Sequence, residues 1–467
     1  MRVGIFAFTL LVMVAVSGCR SADGRGGVRR PVSPPPAGVA PASSRLAEPN
    51  ETAILEPTGP ITLNDALTLA LVHNPGLKIY PYSLRAVEAR MVQAGLWPNP
   101  ELQVEVEEFG GRGERSSFDA AETTVQIGQP IELGGKRARR TRVAAAGKEL
   151  VQWDYESARL DLVRGVSQAF TAVLAAQERL GLAERLLDLS RQAQSAVVQR
   201  VQAGRDSPVD AMRAGVVMSE SRIERQKAEK TLTAARRNLA ALWGSSAPAF
   251  AAASGQWYEI APLASIDLSP DAVAGNPDVA RWEAEQRSRR AALDLEKAKA
   301  VPDVTAAGGV RRYELTDDSA FVLGLAVPLP LFDRNQGGIR EAVANLGAAR
   351  RQYEAVRVKT LAALSEAATA LAAAHDEMAA LKSEVLPGAQ QAFEAVQQGY
   401  LQGKFDYLYV LDTQRTLFET QARYINSIEA YHKARADAER LTGRSLDAES
   451  NDGRPSNPVQ EPSSQVK

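Results

Sequence analysis

Few residues in this sequence are of types that do covalent or metal chemistry, and their spacing limits what they do. The three histidines, His73, His375 and His432, lie far apart, and only His375 falls on a regular apolar stripe. A metal site needs several convergent ligands, so these read as structural or surface groups, and neither a resident metal nor a cofactor is expected. The run Gly128 to Lys136 superficially looks like a phosphate-binding loop. However, five residues separate Gly128 from Gly134, and Arg137 stands where a Ser or Thr would hold Mg²⁺. Neither a Gly-x-Ser-x-Gly elbow nor a His-Glu-x-x-His pair is present. No catalytic residue is assigned, and the sequence reads as a non-enzyme.

The one cysteine carries a clearer message. Arg2 precedes a 12-residue apolar stretch, Ile5 to Val16, and Val16-Ser17-Gly18 brings small residues up to Cys19. Twelve residues are too few to span a bilayer but suit a secretory leader. The pattern looks like a bacterial lipobox, with residues 1–18 removed and Cys19 acylated. Residue 20 is Arg rather than the Asp of an inner-membrane retention signal, so outer-membrane sorting is favoured. Several acyl chains would hold the protein stably, where one alone is marginal.

Composition excludes other classes. The 467 residues carry 55 Lys and Arg against 56 Asp and Glu, a balance unsuited to nucleic-acid binding. With 45% apolar and 24% charged residues, the chain is not wholly disordered. A single cysteine permits no intramolecular disulfide.

The elements that position these residues follow from pattern. Residues 19–60 are rich in Pro, Gly, Ser and Ala and read as a tether. Residues 443–467 read as a loose tail. Between them lies a duplication. Asn74-Pro75 is echoed by Asn276-Pro277, Pro100 by Pro302, and Gly204 by Gly403, at offsets of 202, 202 and 199. Repeats over 61–243 and 270–442 are therefore expected, joined by a linker at 244–269. Each opens with a helix (77–96; 277–300) closed by proline. Two alternating strand-like runs follow, at 101–109 and 123–133 in the first repeat and at 303–313 and 320–331 in the second. Their length and period of two suit membrane β-strands. An ordinary half-buried sheet would alternate in the same way. Four strands are too few to close a barrel, which takes at least eight, so the chain must oligomerise or stay out of the membrane.

Long helices come next, at 136–200 and 336–398. In the first, Leu162, Val166, Ala169, Val173, Ala176, Leu180, Ala183, Leu187, Ser190, Gln194, Val197 and Val201 keep spacings of four and three. That 3.5-residue period predicts a left-handed coiled-coil seam. Each helix turns at a glycine and returns, over 208–242 and 406–441. A basic cluster, Lys136, Arg137, Arg139, Arg140 and Arg142, opens the first long helix. Phospholipid headgroups and plain solvent are equally good partners for it at this stage.

Taken together, these features resemble the TolC family of outer-membrane efflux channels. The resemblance is carried by Leu63-Asn-Asp-Ala-Leu67 before Asn74-Pro75, the tips Ala203-Gly204 and Tyr400-Leu-Gln-Gly403, and Val410-Leu-Asp412. The run Gln129 to Arg137 is most similar to the CzcC-like branch, which exports heavy-metal cations. The resemblance implies a mainly helical fold with transmembrane β-structure. Three copies would form a 12-stranded β-barrel continued by a periplasmic coiled-coil tunnel. It also implies a homotrimer in outer-membrane lipid, whose tips at Gly204 and Gly403 meet a periplasmic adaptor bound to an inner-membrane pump. Asp210, Tyr400 and Asp412 match the acidic and tyrosine positions that close the family's periplasmic entrance. Phe405 stands where some members carry Arg, and Tyr409 replaces an acid, which shifts the expectation from a charge lock to an aromatic plug. A drug-efflux or type I secretion conduit, and a lipid-anchored coiled-coil scaffold without a pore, are the alternatives.

Overall fold

The computed structural model describes residues 56–260 and 266–446. Cys19, the leader, most of the tether and most of the tail lie outside them. In the first repeat, helix α1 (Leu63–His73) starts on a capping box in which Thr62 and Asp65 satisfy each other's backbone N–H groups. A short 3₁₀ turn then leads into α2 (Tyr80–Gly95). Strands β1 (Glu101–Glu107) and β2 (Glu122–Ile131) follow, then α3 (Lys136–Gln202) and α4 (Pro208–Ala241). The second repeat contains α5 (Pro277–Lys299), β3 (Val304–Tyr313), β4 (Asp318–Ala326), α6 (Gln336–Ala380), α7 (Leu386–Leu401) and α8 (Tyr407–Thr442). None of the described helices is long and apolar enough to cross a membrane.

The 67 residues of α3 form one uninterrupted helix, about 100 Å long at 1.5 Å per residue. Every residue of its expected seam is buried or half-buried. The second long helix differs from its expected course. A π-helical turn at Leu381–Val385 separates α6 from α7, immediately before Pro387. Proline lacks the N–H that Ser383 would accept and its ring clashes with that carbonyl, so the register must widen there. The last strand also stops short of its expected end. It finishes at Ala326, because Pro328 and Pro330 have no N–H to give a ladder. Val327, Leu329 and Leu331 therefore belong to the corner that enters α6.

The duplicated Asn-Pro pairs have equivalent structural tasks. Asn74 Nδ2 donates to the Leu242 carbonyl at 2.7 Å, and Asn276 Nδ2 donates to the Leu441 carbonyl at 2.9 Å. Each asparagine thus satisfies the end of its own repeat's return helix, where carbonyls would otherwise lack partners. The linker is not a free loop. Ile61 bridges to Ala253 in parallel, and Trp243 and Phe250 complete an apolar core with Val166, Phe170 and Val173 of α3. Residues 56–60, assigned to the tether, reach this region as well, with Trp243 Nε1 donating to Glu56 Oε1 at 3.2 Å. His432 is also less exposed than its sequence position suggests. It stacks on Trp257, and burial holds its imidazole pKa below the ordinary value.

In the basic cluster at the start of α3, Lys136 is buried, Arg137, Arg139 and Arg140 are half-buried and Arg142 is exposed, so four of the five have protein partners that neither sequence reading offered. Lys136 is buried and donates to Asp303 Oδ1 at 2.8 Å, Arg140 pairs with Glu132, and Arg139 donates to the Asp294 carbonyl at 2.7 Å. Arg137 lies 4.2 Å from the centre of the Trp97 ring. Preceded by Gly134 and Gly135 in left-handed conformations, this is a corner that fastens the sheet to the helices.

Candidate functional site

Two regions have the geometry of a working site: the four-stranded sheet and, at the far end of the long helices, the hairpin tips. The sheet is antiparallel in the order β1-β2-β3-β4, so the outer edges of β1 and β4 have no partner among the described residues. Its register sorts side chains by chemistry. Leu102 opposes Ile127, Ile127 opposes Gly308, and Gly308 opposes Leu323; Val104, Val125, Val310 and Phe321 form the adjacent row. These residues share one face, and Phe321 and Leu323 are 90% and 89% exposed. The opposite face carries Glu101, Gln103, Glu105 and Glu107 of β1, Glu122, Thr124 and Gln126 of β2, Arg311 of β3 and Asp318 of β4. An apolar exposed face backed by a charged one is the reverse of a soluble sheet. It matches a wall with lipid on one side and water on the other.

At the tips, both hairpins turn by the same device. Gly204 (φ 70°) and Gly403 (φ 75°) take the left-handed conformation that an L-residue with a side chain resists. Arg205 N donates to the Arg200 carbonyl at 2.9 Å, and Lys404 N to the Gly399 carbonyl at 2.8 Å, closing each helix in a Schellman turn. Ser207 then caps α4, with Pro208 in its first turn.

Aligning the hairpins on these glycines pairs Arg200 with Gly399, and Asp206 with Phe405. In the first hairpin the two positions form an ion pair, with Arg200 Nε and Nη2 at 2.9 and 3.0 Å from the Asp206 carboxylate. In the second, Gly399 leaves room for the Phe405 ring, which a Cβ there would approach to 2.2 Å. Phe405 therefore packs on its own hairpin.

Val197 and Ala214 of the first hairpin pack in one apolar cluster with Phe393, Tyr407, Val410 and Leu417 of the second, and Tyr400 adds a polar contact between them. Its hydroxyl donates to Asp206 Oδ2 at 2.5 Å, and the Arg200 guanidinium lies 4.5 Å from its ring centre. The guanidinium first, and the tyrosine hydroxyl after burial's opposing effect, hold the Asp206 carboxyl below the usual carboxylate range. Burial and the adjacent carboxylate push the Tyr400 phenol up. Burial and then the charge of Asp210 push Tyr407 up to about 12.

Of the residues predicted from sequence, Tyr400 sits within this junction, but no hydrogen bond joins it to Asp210 or Asp412. Asp210 is half-buried in the first turn of α4, 3.7 Å from Arg213. Asp412 is exposed on α8 and lines an open cleft of about 800 Å³ between α3, α4 and α8. Sequence reasoning missed Asp206 and Arg200. The signal was available in the 199-residue offset, which pairs a charged couple in one hairpin with Gly and Phe in the other.

The profile of the family described as outer membrane efflux protein matches residues 66–245 and 268–444. The chain belongs to this family. It is 37% identical over 389 residues to the cobalt-zinc-cadmium resistance protein CzcC of Cupriavidus metallidurans, covering 83% of this chain and 91% of that one. The nickel and cobalt resistance protein CnrC of the same organism is 29% identical over 318 residues, 67% of this chain and 74% of its own. Among solved structures, CusC superposes with a TM-score of 0.69 at 18% identity, over 82% of this chain and 92% of that one. Residues 66–245 and 268–444 thus adopt the outer-membrane efflux fold, in which the sheet supplies barrel wall and the long helices supply tunnel wall.

Proposed function

We propose that this efflux protein is the outer-membrane conduit of a tripartite pump that expels divalent heavy-metal cations. One observation carries the conduit reading: a four-stranded sheet with one apolar and one charged face and two unpaired edges. Four strands cannot close on themselves, whereas three copies pairing β4 of one chain with β1 of the next make a 12-stranded barrel. The cargo class rests on the similarity to CzcC and CnrC.

The remaining assignments follow from that reading. Residues 1–18 are a leader, Cys19 carries lipid, 19–60 tether it to the repeats at 61–243 and 270–442, 244–269 link them, and 443–467 form a tail. The tips at Gly204 and Gly403 meet a periplasmic adaptor, which connects the conduit to an inner-membrane pump that supplies the energy. The periplasmic entrance is held shut where Tyr400 joins the hairpins, with Asp210 and Asp412 adding negative charge that attracts cations.

Deleting the gene in its own host tests the function. Cells should accumulate cobalt, zinc or cadmium and regain resistance on re-expression. Unchanged metal content, with accumulation of organic compounds instead, would transfer the cargo assignment to drug efflux.

A further inference from the structure

On the sheet one residue stands apart: Arg311 is the single cation among the charged side chains on the polar face of its four strands. Register places Glu107 directly opposite Glu122, an arrangement of like charges that destabilises a sheet unless a cation intervenes. Arg311 Nη2 lies 3.1 Å from Glu107 Oε2, its Nη1 lies 2.9 Å from Glu122 Oε2, and its Nε donates to Thr124 Oγ1 at 2.8 Å. Thr124 is buried, so the fork is held from below as well as from both sides.

Charge is segregated in two further ways. On the apolar face the strands carry only Arg312, at the hairpin end, where Glu314 and Asp317 neutralise it. On the polar face, no ion pair joins Glu105 or Asp318 to another described residue. Glu105, Thr124, Arg311 and Ala320 form one row across the sheet, and Glu107, Glu122, Tyr313 and Asp318 form the next. The two rows nearer the helices carry Gln103, Gln126, Gly309 and Val322, then Glu101, Gly128, Ala307 and Gly324. The fixed charges, and the only positive one, are therefore concentrated at the end away from the tunnel.

We propose that Arg311 is a specificity-determining residue of the conduit. It compensates Glu107 and Glu122 and thereby limits the cation preference of the barrel's outer end. This inference rests on the three-copy conduit reading. Three guanidiniums would ring the lumen, and neutralising Arg311 in all three copies would remove three positive charges at one level. Cations would then be favoured further, and anions opposed, over a distance comparable to the Debye length.

Reversal potentials of the full-length protein in planar bilayers under a KCl gradient test this, in the unmodified chain and in an Asp206→Ala background where the tip junction is broken. Arg311→Gln should raise the K⁺/Cl⁻ permeability ratio roughly threefold at about 0.1 M salt, and the change should shrink at about 1 M, where screening is shorter. Arg311→Lys, which keeps the charge, should leave the ratio unaltered, and Glu105→Gln should lower it. An unchanged ratio for Arg311→Gln in both backgrounds would overturn the proposal, as would an equal change for Arg311→Lys. If Arg311→Gln fails to assemble, Glu105→Gln decides, and an unaltered ratio there overturns the proposal. Absence of current in both backgrounds would instead overturn the conduit reading, and this inference with it.

Discussion

Removing the Tyr400 hydroxyl isolates the polar contact between the two hairpin tips. Tyr400 donates to Asp206 at 2.5 Å, and its ring faces Arg200 at 4.5 Å. A hydrogen bond to a charged acceptor contributes about 1.5–3 kcal/mol, and a cation–π contact about 0.5–2 kcal/mol. Tyr400→Phe keeps the second and loses the first. Taking about 2 kcal/mol, the balance between joined and separated hairpins shifts roughly 30-fold per chain. Tyr400→Leu loses both and should shift it further. Single-channel recording should show longer open times in that order. Asp206→Ala should give an effect that combines with Tyr400→Phe less than additively, because both remove the same bond.

Acid provides a second handle on this contact. The folded-state pKa of Asp206 is depressed, so its contribution is complete above the unfolded value of about 3.9 and is lost as pH falls through the folded one. Opening by acid should therefore begin only below about pH 4. Open times unchanged by Tyr400→Phe, Tyr400→Leu and Asp206→Ala in correctly assembled protein would refute the role of this junction.

Other expectations concern separate parts of the chain. Asp412→Ala should weaken block of the current by divalent cations; identical block curves would dismiss Asp412 from the entrance. Cys19→Ser should abolish incorporation of labelled fatty acid, and continued labelling would refute the lipobox. Asn276 is fully buried and holds both the Leu441 carbonyl and the Asp278 N–H. Asn276→Ala should therefore cost about 2–4 kcal/mol and lower the thermal midpoint measured by circular dichroism. A midpoint within error of the unmodified protein would show that the repeat closes without it.

Much of this architecture was legible because it is periodic. The seam from Leu162 to Val201 and the alternation from Leu102 to Val106 each repeat a simple spacing that solvent enforces along a whole element. Boundaries were harder where a local backbone effect overrides the pattern. Leu329 and Leu331 keep the parity of β4, yet Pro328 and Pro330 end its ladder. Similarly, Pro387 forces a π turn into a helix whose side-chain stripe continues through it. The tip junction was only half legible. Tyr400 was visible as a family feature, but Asp206 and Arg200 sit six residues apart around a turn. Their pairing depends on the Schellman geometry at Gly204, which no helical spacing encodes. The corner at Lys136 was opaque for a related reason, since its partner Asp303 lies in the other repeat.

In the proposed conduit, separate four-stranded sheets close one water-filled pore. Purified full-length protein added to a planar lipid bilayer tests this directly. Discrete, uniform current steps that favour cations are expected, from particles whose mass corresponds to three chains. Particles of that mass that bind lipid but carry no current, even with Tyr400→Leu, would contradict it and leave a lipid-anchored scaffold.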